Sequence, residues 1–105
     1  MRFLPVCTVF LALGAVQAFG AAADGKAVFD SKCKVCHAGD GSGNPGMAKA
    51  LKVTMRPLGS AEVQAKSDAE LKKDITEGNG KMKPITGLAA KQVDDVVAYL
   101  RTLKK

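Results

Sequence analysis

Cys33-Lys34-Val35-Cys36-His37 gathers most of the chain's coordinating and nucleophilic chemistry into five residues, because His37 is its only histidine and the third cysteine, Cys7, lies in an apolar N-terminal run. Two thiols three positions apart on a helical turn can each add across one vinyl group of a haem, and the adjacent histidine then falls beneath the iron as proximal ligand. Three other readings use the same side chains. A thioredoxin-like redox pair needs a βαβ setting, and no strand pattern surrounds this one. A zinc site needs a fourth ligand, which here would have to be a carboxylate. A disulfide between Cys33 and Cys36 would close a small, strained ring and leave His37 without a role. Covalent haem attachment accounts for all three side chains.

An iron held by His37 needs a ligand on its other side, and electron-transfer haem proteins commonly use a methionine thioether, which raises the potential of the couple. Met47, Met55 and Met82 are the candidates. Met82 lies in Gly78-Asn-Gly-Lys-Met-Lys-Pro84, a loop between two expected helices from which a side chain can be presented to the iron. It is the expected ligand, with Met47, Met55 and an open position as the alternatives. For Met47 and Met55 the simpler role is filling space beside the cofactor.

The elements that must position these residues are helical. From Asp24 a capable N-cap precedes Ala27, Val28, Phe29 and Val35, which suits a short amphipathic helix ending at the cysteines. Residues 38–46, Ala-Gly-Asp-Gly-Ser-Gly-Asn-Pro-Gly, are too rich in turn formers for a regular element to run through them. A brief helix is expected over 47–53, stopped by Arg56-Pro57-Leu58-Gly59. Ser67-Asp-Ala-Glu70 is a capping box that opens a helix over 68–77, ended by Gly78-Asn79-Gly80. The final helix, 89–103, sets Val93, Val96, Val97, Leu100 and Leu103 on one stripe. The class is all-α, with three to five short helices and no internal repeat.

A chain of 105 residues holds one domain, and one this small usually needs a disulfide, a metal or a large prosthetic group to be stable. Four Phe, one Tyr and no Trp make a thin core that a bulky apolar cofactor would complete. Residues 1–23 read as a cleaved secretory leader: a basic start at Arg2, an apolar run over 3–16 and small residues to Ala23, with the cut between 18 and 23. The run is shorter than the about 20 apolar residues of a membrane span, so no stable membrane anchor is expected. Cys7 leaves with the leader, and loss of Arg2 lowers the formal charge of +6 by one. The domain is then 24–105, exported to the periplasm. A basic chain can signal nucleic-acid binding, but export removes it from nucleic acid.

Together these residues resemble a class I c-type cytochrome, one of the small monohaem domains of bacterial periplasms and the mitochondrial intermembrane space. The likeness covers essentially all of 24–105. It implies the cytochrome c fold, helices wrapped around one covalently bound haem c with the first and last helices packed together. Gly25 and Phe29, eight and four residues before Cys33, match the first-helix pattern of that family, and Asp95-Val-Val-Ala-Tyr-Leu-Arg101 matches the last, so Val96 and Tyr99 are the implied partners of Gly25 and Phe29. The resemblance further implies that the carbonyl of Pro45, in Asn44-Pro45-Gly46, holds the Nδ1 proton of His37 and tunes the ring. Two departures are visible: Pro84 stands two residues after Met82 where many relatives have it directly after, and no Trp is present to bond a propionate, which leaves Arg56 as a substitute.

With His37 and Met82 on the iron no position is open for a substrate, so the expected activity is single-electron transfer between redox protein partners by a monomer, and not enzyme catalysis. Lys81 and Lys83 flank the methionine, and Lys32 and Lys34 flank Cys33; ringing the cofactor edge, they would steer an acidic docking surface to it. A five-coordinate haem without the Met82 bond would instead suit a gas sensor or a peroxidase.

Overall fold

The computed structural model describes residues 16–105; residues 1–15, the greater part of the expected leader, lie outside it. Six helices follow in chain order: α1 (Val16–Lys32), α2 (Lys34–His37), α3 (Pro45–Leu51), α4 (Ala61–Gln64), α5 (Asp68–Glu77) and α6 (Ala90–Thr102). That is one more than the largest number expected, because α2 and α4 are single turns of four residues. There is no strand among the described residues, only an isolated bridge between Asn79 and Met82. The all-α class stands.

The core forms where α1 crosses α6. On α6 the stripe Val93, Val96, Val97 and Leu100 is buried, as its helical spacing requires, and Tyr99 joins it. Phe29 of α1 and Val96 are each only 1% exposed. The Phe29 and Tyr99 rings lie 5.2 Å apart at 57°, in the range where tilted aromatic pairs attract. Gly25 lets the two backbones touch, since a Cβ there would strike the carbonyl of Asp95. Thus the expected pairing of Gly25 and Phe29 with Val96 and Tyr99 is present.

Helix starts follow their caps. Ser67 Oγ accepts from the Glu70 amide at 3.1 Å and donates to the Glu70 carboxylate at 3.2 Å, fixing the first turn of α5. Its buried side chains, Leu71 and Ile75, add the third wall of the core. On α6 the Ala89 amide donates to Gln92 Oε1 at 2.8 Å, the half of a capping box that needs no oxygen on the cap residue. Helix α3 begins two residues earlier than expected. Asn44 Oδ1 accepts from the amides of Gly46 and Met47, and Pro45 takes the first helical position, where its missing N–H costs nothing.

The first helix also differs from expectation. It begins at Val16, so that Asp24 lies inside it instead of capping it, and it stops at Lys32; Cys33 adopts φ −113° and ψ −29°, and a separate turn carries Lys34 to His37. None of the described helices is long and apolar enough to cross a membrane.

Candidate functional site

The single turn of α2 sets the geometry of the site. Cys36 and His37 both donate their amides to the Cys33 carbonyl, at 3.3 and 3.0 Å, so the two thiols and the imidazole are carried by one closed turn. Both cysteines are free thiols. The chain then reverses: the amide of Gly43 donates to the His37 carbonyl at 2.8 Å and that of Asn44 to Cys36 at 2.9 Å. Ala38 makes the reversal with φ 63° and ψ 164°, a conformation otherwise left to glycine.

Cys33, Cys36 and His37 open onto a cleft with two lobes. The larger, about 510 Å³, is lined by all three together with Met47, Met55 and Met82. The smaller, about 210 Å³, reaches inward to the core side chains Phe29, Leu71, Ile75, Val96 and Leu100. Cys33, His37, Asn79 and Met82 border both lobes, so the histidine and that methionine stand where the lobes meet. Met47 and Met55 border only the larger one.

Met82 is delivered by a tight loop. Its amide and carbonyl pair reciprocally with those of Asn79, at 2.9 and 3.0 Å, and the Ile85 amide ties the far end to the Ile75 carbonyl at 2.8 Å. Gly78 (φ 81°) and Gly80 (φ 57°) take the left-handed turns of this loop, and a Cβ on Gly78 would press against the Met82 carbonyl. The side chain of Met82 is half-buried against the core.

Burial governs the electrostatics. It lowers the proton affinity of His37, so the ring is neutral near pH 7 and has a lone pair for a metal. Burial also pushes the Cys33 thiol up to about 11, with the neighbouring Cys36 adding to the rise.

The expected bond from His37 Nδ1 to the Pro45 carbonyl is not formed: Nδ1 is buried and has no hydrogen-bond partner. Pro45 heads α3, and a carbonyl in the first turn of a helix points along the axis toward the following turn instead of back across the loop. Arg56 does reach the site, on the wall of the smaller lobe. Sequence reasoning missed three polar neighbours, Lys66, Asp74 and Asn79, which also border that lobe.

These residues fit a haem. Two reduced thiols and a neutral imidazole share one turn, a thioether stands where the lobes meet, and the inner lobe is walled by apolar core side chains. Cys33 and Cys36 are not joined to each other, and among the described residues no group of three or more His, Cys, Asp and Glu is placed to hold a metal ion.

A family model described as Cytochrome c matches residues 22–104. Among solved structures the chain is similar to the KustC0563 c-type cytochrome, at 30% identity and a TM-score of 0.65, over 78% of this chain and 99% of that one. No curated protein matches. The motif on α2, the α1–α6 crossing and these matches agree: the chain belongs to the cytochrome c family and is a small, haem-binding c-type cytochrome of an electron-carrying kind.

Proposed function

We propose that the chain carries one electron at a time between redox proteins outside the cytoplasm, using a single haem c bound through Cys33 and Cys36, with His37 and Met82 as the two axial ligands. The observation that carries this reading is the shared position of His37 and Met82 at the junction of the two lobes, with both thiols beside them. Haem bound there supplies an iron that accepts and releases one electron. The chain's own residues do the rest. The α2 turn holds the imidazole and thiols in one rigid unit, Met82 occupies the position a substrate would need, and the apolar inner lobe keeps water from the cofactor. Rigidity and dryness both keep the two oxidation states alike in structure, which favours rapid transfer and leaves no bond-making chemistry for an enzyme.

Residues 1–23 act as the secretory leader in this reading, removed between 18 and 23, and residues 24–105 work in the periplasm as a monomer without a stable membrane anchor. Lys81 and Lys83 border the larger lobe, and Lys32 and Lys34, beside Cys33, are exposed. Val35, 67% exposed, lies among them as an apolar contact. Lysines around an apolar centre suit redox partners with acidic docking surfaces, and association would weaken with salt.

The direct test is the mass and redox titration of the exported protein. The expected result is the leaderless chain plus one haem, retained under denaturing conditions, with a one-electron Nernst curve. Haem that separates on denaturation would rule out the thioether links.

A further inference from the structure

Three polar side chains at the rim of the inner lobe form one connected line to Met82. Lys66 Nζ bonds Asp74 Oδ2 at 2.7 Å. The other oxygen of the same carboxylate, Asp74 Oδ1, accepts from Asn79 Nδ2 at 3.3 Å. Asn79 in turn exchanges both of its backbone hydrogen bonds with Met82. Asp74 lies on α5 and keeps only 25% of its side chain exposed. Asn79 is exposed and sits in the glycine-flanked loop that presents the methionine.

The loop has few other ties. Gly78 and Gly80 allow left-handed turns and cost rigidity for the same reason. Lys81 and Lys83 are exposed, and the reciprocal Asn79–Met82 pair holds the loop to itself but not to the body of the protein. Two bonds join the hairpin to α5 on its Asn79 side, the Gly78 amide to the Asp74 carbonyl at 3.1 Å and the carboxamide to the Asp74 carboxylate. Both end on Asp74. A hydrogen bond to a carboxylate is stronger than one between neutral groups, and the ion pair with Lys66 at 2.7 Å holds that carboxylate in place.

We infer that Asp74 and Asn79 are positioning residues for Met82, a latch that fixes the methionine loop against α5 and sets how firmly the Met82 sulfur competes for its place in the site. This rests on Met82 being the axial ligand. Both side chains border the cleft, but their effect on the ligand runs through the loop that carries it. They act by denying the loop the open positions in which the thioether is withdrawn.

The test is displacement of the methionine by imidazole in the oxidised, haem-loaded protein, followed by absorption. Asp74→Ala and Asn79→Ala are each expected to bind imidazole about tenfold more tightly than the native chain, the change that about 1.4 kcal/mol of lost latching produces. The double variant is expected to show much less than the product of the two effects, because both break one bond. Lys73→Ala, on the same helix but facing solvent, is expected to leave the affinity unchanged. Loss of fold alone would lower the melting temperature without this pattern. Should Asp74→Ala fail to fold, the exposed Asn79 carries the test by itself. Unchanged imidazole affinity in Asn79→Ala, with Met82→Ala binding imidazole more tightly, overturns the latch while leaving the ligand in place. Unchanged affinity in Met82→Ala overturns the ligand assignment and the latch with it.

Discussion

The carbonyl of Asp95 occupies the space in which any side chain on Gly25 would have to sit. A methyl group at this crossing meets backbone, which cannot rotate away as a flexible side chain would. Gly25→Ala is therefore expected to separate α1 from α6 despite the better helix propensity of alanine. Overpacking of this kind costs about 1–3 kcal/mol. A thermal melt of the haem-loaded variant should give a clearly lower Tm, and an unchanged one would mean the helices do not pack this closely.

Among the described residues Phe29 is the most deeply buried aromatic side chain, and it belongs to both the α1–α6 core and the inner lobe. Truncation by Phe29→Ala removes about 3–5 kcal/mol from a domain whose total is of order 5–15 kcal/mol. The expected outcome is a fall in Tm of roughly 15 °C or more and poor yield of haem-loaded protein.

Ala38 holds φ 63° and ψ 164° immediately after His37. Strain of this type costs of order 1–3 kcal/mol, more than the entropy that a glycine adds to the unfolded chain. Ala38→Gly is expected to raise stability by roughly 1 kcal/mol, read as a higher denaturant midpoint with unchanged slope. A lower midpoint would show that the reversal after His37 is made differently.

The two thiols differ in burial: Cys33 is buried and Cys36 is half-buried. A thiol whose folded value is raised to about 11 stays protonated at pH 8 and becomes a thiolate only as pH rises toward that value. In the haem-free chain iodoacetamide should accordingly modify Cys36 first at pH 8, the gap narrowing as pH rises and vanishing in urea. Equal rates at pH 8 without denaturant would contradict the burial of Cys33.

What the sequence made legible was local. Helix α5 falls on the expected residues 68–77 because Ser67 and Gly78 bound it with short-range chemistry, and α6 follows from its apolar stripe. Asn44-Pro45 was legible too, but as turn formers, and so the start of α3 was placed at 47 although the pair is an N-cap followed by a first-turn proline. Helix α4 went unseen since four residues carry no periodicity. The motif on α2 marked the cofactor site by spacing alone. The polar residues around that site did not show, for their meaning lies in contacts distant along the chain. Arg101, for example, donates to the carbonyls of Gln64 and Lys66 across 37 and 35 positions, holding the segment that bears Val63 and Lys66 on the cavity wall. No local pattern announces such a partner, and the same is true of Asp74 and Asn79.

Binding of the Met82 sulfur to the haem iron together with His37 would leave a mark in one spectrum. A weak near-infrared band in the oxidised protein reports methionine sulfur on haem iron. This band is expected in the native chain, should survive in Met47→Leu and Met55→Leu, and should disappear in Met82→Ala. A native spectrum without the band, five-coordinate and shifting on addition of carbon monoxide, would contradict it and point to a gas-binding or peroxide-consuming haem.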